Sequence, residues 1–221
     1  PGMKSNYIKA NYLRAEQLIC SGSYRKAIDY LKAAAYYSDK DSRFNQLARF
    51  WLAESYFRNN QYSQAQDMFH ALYNVSALRG MPEANLIPYN LAWCCYDQQD
   101  WSGAIRWFAA YLGEPEVKYR RDALLRMGDS YFIRKDYQNA LSTYNQVLEA
   151  YFSVNDIYPY YQAGIVNGLL NKLDRKIDLL ANVLEASVDA DFYPEALFEL
   201  GRSYTIKEDD ENAFKCFNRI A

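Results

Sequence analysis

The chain has 221 residues, half of them hydrophobic, so it can bury a sizeable core. Its 25 lysines and arginines against 27 aspartates and glutamates leave a net charge of −2, with no global electrostatic footprint for a phosphate backbone, and nucleic acid is not an expected partner. No apolar run approaches the roughly 20 residues that span a bilayer, so direct membrane insertion is not expected either.

Residues 1–5 read as an appended or disordered end, and a regular pattern starts at residue 6. A small residue is followed twelve positions later by a second one: Ala15 and Ala27, Ala53 and Ala65, Ala92 and Ala104, Gly128 and Ala140, Gly164 with Lys176 in the second place, and Gly201 and Ala213. The first members lie 38, 39, 36, 36 and 37 residues apart, which sets a single repeat array with units of about 6–42, 43–81, 82–117, 118–155, 156–192 and 193–221. Within each unit the 3.6-residue apolar period runs twice around a polar break, at Ser21 to Ser23, Arg58 to Gln61, Asp97 to Asp100, Arg134 to Asp136, Asn171 to Leu173 and Lys207 to Asp210. Each unit is therefore predicted to be a pair of antiparallel helices. Small residues at the paired positions let two helices approach within ~8 Å. The large apolar residue four places after the second one (Leu31, Phe69, Phe108, Tyr144, Leu180, Phe217) is expected to fill the space between neighbouring units. Pro82 and Pro115 are expected to stop helices, and Pro159 and Pro194 to sit near their starts.

These residues resemble the tetratricopeptide repeat, and Gly128, Tyr131, Tyr137, Ala140 and Tyr144 show its pattern most fully. The resemblance covers residues 6–221 and implies an all-α right-handed superhelical solenoid of about six helix pairs. The chain departs from the family pattern in its longer period, in Lys176, in Asp210 where a turn aromatic is usual, and in Arg14 where a leucine is usual.

Little here suits catalysis. His70 is the sole histidine, so no two-histidine metal site can form from this chain alone, and it reads as a surface residue. There is no phosphate-cradling glycine loop and no nucleophile elbow. Glu208 to Glu211 reads as a hydrated turn, and Cys20, Cys94, Cys95 and Cys216 read as buried free thiols, the adjacent pair pointing apart. No enzymatic activity, metal or cofactor is expected. The basic run Lys118, Arg120, Arg121 and Arg126, with Arg134 and Lys135, reads as a solvated helix face paired with Glu114, Glu116 and Asp122 rather than as a patch for an acidic partner.

In the resembled fold the first helix of each unit lines the concave groove. Aligning the units puts Tyr12, Phe50, Tyr89, Leu125, Tyr161 and Phe198 there, followed by Glu16, Glu54, Trp93, Tyr96, Asp129, Phe132 and Arg202. Twenty-two tyrosines suit a binding surface, since tyrosine offers a rigid apolar body with a polar tip. The expected peptide-binding groove is thus Tyr12, Phe50, Glu54, Tyr89, Trp93, Tyr96, Asp129, Tyr161, Phe198 and Arg202, with packing of helix against helix as the alternative role for the rings. The cationic clamp with which some family members hold acidic chaperone tails has no counterpart, because Tyr12, Glu16, Trp51, Leu86 and Asn90 stand at its places. The implied partner is a protein or peptide: an apolar, basic or proline-containing extended segment, or a helix.

The resulting expectation is a non-enzymatic protein-interaction scaffold. Two alternatives stand beside it: a structural spacer or assembly segment of a longer repeat protein, and an accessory domain of a bacterial envelope enzyme. The long repeats resemble envelope proteins of the Tol-Pal coordinator and outer-membrane assembly type, which favours the periplasm or envelope slightly over the cytoplasm. Cys216, Phe217 and Ile220 form an apolar face on the last helix, which predicts a continuation beyond Ala221 or cover by another molecule, self-association included.

Overall fold

The computed structural model describes residues 2–115 and 117–220, and every apolar period in them is helical. Among the described residues there are twelve α-helices and no strand: α1 (Gly2–Cys20), α2 (Tyr24–Tyr37), α3 (Arg43–Arg58), α4 (Tyr62–Leu72), α5 (Pro82–Asp97), α6 (Trp101–Leu112), α7 (Arg120–Ile133), α8 (Tyr137–Ala150), α9 (Ile157–Leu169), α10 (Leu173–Leu180), α11 (Tyr193–Ile206) and α12 (Asp210–Asn218). They form two compact units, Pro1–Val117 with α1 to α6 and Lys118–Ala221 with α7 to α12. In each unit every helix packs on the next one in sequence, so each is a stack of three helix pairs.

The turn inside each pair has one design. It is three residues long in all six pairs, and its middle residue is left-handed: Gly22, Asn60, Gln99, Lys135, Asn171 and Glu208. The third residue donates its backbone N–H to the carbonyl five positions back, as in Ser23 to Leu18 (2.7 Å), Gln61 to Tyr56 (2.9 Å), Asp100 to Cys95 (2.8 Å), Asp136 to Tyr131 (2.9 Å), Lys172 to Asn167 (2.9 Å) and Asp209 to Tyr204 (3.0 Å). This is the Schellman arrangement, which satisfies carbonyls that a helix end would otherwise leave without donors. In three pairs the third residue is an aspartate that also caps the next helix: Asp100 accepts from the N–H of Gly103, Asp136 from Asn139 and Asp209 from Asn212. The Glu208 to Glu211 stretch is thus a turn and a cap.

The small positions do hold the pairs closed, and all of them except Lys176 are buried. A Cβ on Gly128 would lie 2.7 Å from the Tyr144 ring, one on Gly201 2.7 Å from Phe217 and one on Gly164 3.0 Å from Leu180. The large apolar residue therefore sits on the glycine of its own pair. The expectation that it fills the space between pairs is extended: the same residue faces its own first helix and also joins the apolar cluster of the next pair, as Leu31 does with Leu52, Phe69 with Ile87 and Leu91, and Leu180 with Ala196 and Leu197.

Three other expectations change. Helix α1 begins at Gly2, so residues 2–5 are helical rather than disordered. Pro82 is the first residue of α5, where a missing N–H costs nothing, and so starts a helix instead of stopping one. Cys20 is exposed, whereas Cys94, Cys95 and Cys216 are buried, and all four are free thiols. Pro1, Glu116 and Ala221, on which parts of the sequence reading fell, lie outside the described residues.

Candidate protein-interaction surface

In the first unit, α1, α3 and α5 bring rings and acids together. Tyr12 and Glu16 of α1 meet Trp51 of α3 around a cavity of about 130 Å³. Tyr12 packs on Phe44 with ring centroids 5.0 Å apart. Burial, and then the charges of Glu16 and Glu83, push its hydroxyl up to about 12, so it stays a neutral hydrogen-bond donor. Glu54 of α3 accepts from Arg58 Nε at 2.8 Å and from Asn90 Nδ2 of α5 at 3.0 Å, which ties the two helices together. Tyr89, Trp93 and Tyr96 of α5 are half-buried. Tyr89 leans on Tyr111 of α6 (5.1 Å) and Trp93 on Tyr96 (5.3 Å), which in turn meets Trp101 (5.2 Å). These rings both pack helix against helix and keep an accessible edge.

Phe50 is not part of any surface. It is 1% exposed and packs edge-on against Phe69, among Ala53, Leu72 and Leu91. Residues 50 and 51 lie about 100° apart on a helix, which sends Phe50 into the core and leaves Trp51 toward α1. The acid aligned in the second unit behaves differently again. Asp129 is 6% exposed; its Oδ1 accepts from the hydroxyls of Tyr144 (2.8 Å) and Tyr158 (2.7 Å), and its Oδ2 from Arg126 (2.7 Å). It is an internal fastener joining α7, α8 and α9. Burial and the Asp129 charge raise the Tyr158 hydroxyl, so that ring too stays neutral.

Tyr161 stacks on Phe192 at 5.7 Å. Phe198 is half-exposed, lies 6.0 Å from Phe217, and has the Arg202 guanidinium 6.0 Å from its ring. Lys176, the residue that departs from the repeat, extends across Gly168 to Glu199 of α11, where its Nζ donates at 2.6 Å; Arg202 donates to the same carboxylate at 2.7 Å. Burial raises the Glu199 carboxyl, but these two cations outweigh it and the net shift is downward. Sequence reasoning missed both this pair and the Asp129 hub. The one signal for the first was a lysine where five other units carry alanine.

Two arginines of the basic run are held by acids of their own unit. Arg121 pairs with Asp156, and Arg126 with Asp122 and Asp129. His70 is exposed and rests edge-on against Trp107. Burial pushes the Cys95 thiol up to about 11 and raises Cys94 as well, which leaves neither as a ready nucleophile. Among the described residues no three His, Cys, Asp or Glu side chains cluster as a metal would need, and no helix is long and apolar enough to cross a membrane.

Two sequence-family models, both describing the tetratricopeptide repeat, match residues 52–119 and 122–151. Both segments are thus tetratricopeptide repeats. No curated protein sequence matches it. Among solved structures, the tetratricopeptide fold recurs in PilF of Pseudomonas aeruginosa (TM-score 0.66, 13% identity, 96% of this chain and 90% of that one). It recurs in MamA (0.65, 14% identity, 79% and 89%) and in YrrB, a tetratricopeptide protein with an unusual peptide-binding site (0.61, 16% identity, 94% and 90%). At these identities the likeness is one of fold. Tetratricopeptide arrays present extended surfaces to proteins and peptides.

Proposed function

We propose that this tetratricopeptide protein is a non-enzymatic interaction scaffold, and that the face of α1, α3 and α5 docks an extended segment or helix bearing apolar and basic side chains. The observation that carries the reading is the cavity between Tyr12, Glu16 and Trp51, where an apolar slot adjoins a carboxylate that is exposed and has no ion pair among the described residues. An apolar anchor fits the slot and a lysine or arginine beside it meets Glu16, the ring-plus-charge pairing typical of peptide grooves. YrrB, with the same fold and a peptide-binding site, supports a docking role.

The test is a titration of a fluorescein-labelled peptide of alternating lysine and leucine, read by anisotropy, with a glutamate and leucine peptide as control. Glu16→Lys and Tyr12→Ala are each expected to weaken the lysine peptide by about ten-fold, the scale of one lost anchor or one reversed charge. Equal affinity in wild type and both variants, with helicity unchanged, overturns the reading.

A further inference from the structure

The opposite side of α3 carries a second, larger cavity, of about 760 Å³, bounded by α2, α3 and α4. A helix turns about 100° per residue, so Arg49 and Leu52 stand roughly 200° away from Trp51 and Glu54 respectively. The floor of this cavity is apolar, with Leu52 and Met68 side by side. Its rim carries Lys32, Lys40 and Arg49, and no carboxylate lines it. None of these three cations forms an ion pair among the described residues. Lys32 rests 5.7 Å from the Tyr56 ring and Arg49 donates to the neutral Gln46, so neither of these two meets a carboxylate. Of the two acids that flank Lys40 in sequence, Asp39 lines a separate cavity with Lys4 and Lys9, and neither Asp39 nor Asp41 lines this one.

The rim is held in place before anything binds. Asn45 Nδ2 donates to the Ala35 carbonyl at 2.6 Å and to Ser38 Oγ at 2.9 Å, and Gln46 Nε2 donates to the Lys40 carbonyl at 2.6 Å, which pins the connection between α2 and α3. Asn45 itself lines the cavity, is 2% exposed, and its buried Oδ1 lacks a donor.

We propose that this cavity is a second docking site, and that its occupant is an acidic segment of a partner protein that inserts a leucine or phenylalanine side chain between Leu52 and Met68. Charge complementarity selects the occupant: three cations around an apolar floor reward carboxylates flanking an apolar anchor and penalise a basic segment. This sign is opposite to that of the Glu16 face, so the two sites take different chemistries, and failure at one leaves the other standing.

The experiment titrates the whole chain with a fluorescein-labelled peptide in which leucine and phenylalanine alternate with pairs of aspartate and glutamate. Controls are the same peptide with lysine in place of the acids, and an oligoglutamate with no apolar residue. Wild type is expected to bind the first peptide and neither control. The double variant Lys32→Glu, Arg49→Glu is expected to bind about ten-fold or more weakly, and Lys40→Glu about three-fold more weakly, with affinity falling as salt rises. Lys172→Glu with Arg175→Glu, exposed in the other unit and equal in net charge to the double variant, is expected to bind as wild type does. Should the double variant lose helicity, Lys40→Glu, in an exposed connection, decides alone. The proposal is overturned by no binding to wild type, by equal binding of oligoglutamate, or by a rim variant that keeps both its fold and its affinity.

Discussion

The two units use acids on their first helices in different ways. In the first, Glu16 stands exposed beside an apolar slot, while Glu54 is largely buried and held by Arg58 and Asn90. In the second, Asp129 lies beneath two tyrosine hydroxyls and an arginine, and Glu199 is gripped by Lys176 and Arg202. Asp129 stands one position C-terminal to the first small residue of its pair, as Glu16 and Glu54 do. What differs is the partner: Tyr144 and, from α9, Tyr158 reach over Asp129, while the positions that match Tyr144 in the first two pairs hold Leu31 and Phe69, which have no polar tip. A carboxylate with such partners becomes internal structure, whereas Glu16, which has none of them, stays exposed.

The largest expected effect tests that contrast. Asp129→Ala removes the acceptor shared by Tyr144, Tyr158 and Arg126 and is expected to cost about 3 to 5 kcal/mol, whereas Glu16→Ala stays within about 0.5 kcal/mol. Urea denaturation of both variants measures it, and equal losses would erase the distinction between the units. Next come the contacts inside pairs. Ala92 and Ala104 are fully buried in the third pair, and Ala104→Leu is expected to cost about 1 to 3 kcal/mol by overpacking. Gly128→Ala runs into the fully buried Tyr144 ring and is expected to lose a similar amount. Gly201→Ala meets Phe217, whose ring is over a third exposed and can give way; the helix-propensity gain of about 1 kcal/mol then leaves it near neutral. A matched loss at Gly128 and Gly201 would show that the last pair is as tightly held as the fourth.

A smaller effect depends on pH. The folded Glu199 carboxyl titrates below its ordinary value, so its contribution is complete above the unfolded value of about 4.5 and is lost as pH falls through the lower folded one. Lys176→Ala should flatten the stability profile in that acid window and leave its shape near neutrality unchanged. An identical acid slope in the variant would mean that Lys176 does not hold Glu199 down. The smallest effect is a gain. Gln99 is left-handed in its turn, so Gln99→Gly is expected to add a few tenths to about 1 kcal/mol, measurable as a raised thermal midpoint.

Much of the fold could be read because it is periodic. Small residues twelve apart located five helix pairs, since close backbone approach demands them, Gly164 in register located the remaining one, and the polar breaks fell on the observed turns. The site was less legible. One position places Tyr12 by a cavity, Phe50 in the core and Phe198 half-exposed, because exposure depends on what the neighbouring pair presents and not on register alone. The Asp129 hub joins residues 126, 129, 144 and 158, a constellation that three separate helices bring together. The cavity beside Lys32 and Arg49 lies between second helices and the far side of α3, away from the aligned groove positions.

The uniform turn has a consequence for how this chain tolerates change. Connections inside pairs are always three residues, while those between pairs run to five and nine in the first unit and six and twelve in the second. One residue added within a turn would displace the left-handed position and rotate the second helix by about 100° against the first, pulling the small residues out of contact. One residue added between pairs lengthens a surface loop at little entropic cost. Insertions and deletions should therefore survive only at the joints between pairs, where the uneven period of this chain already places its variation.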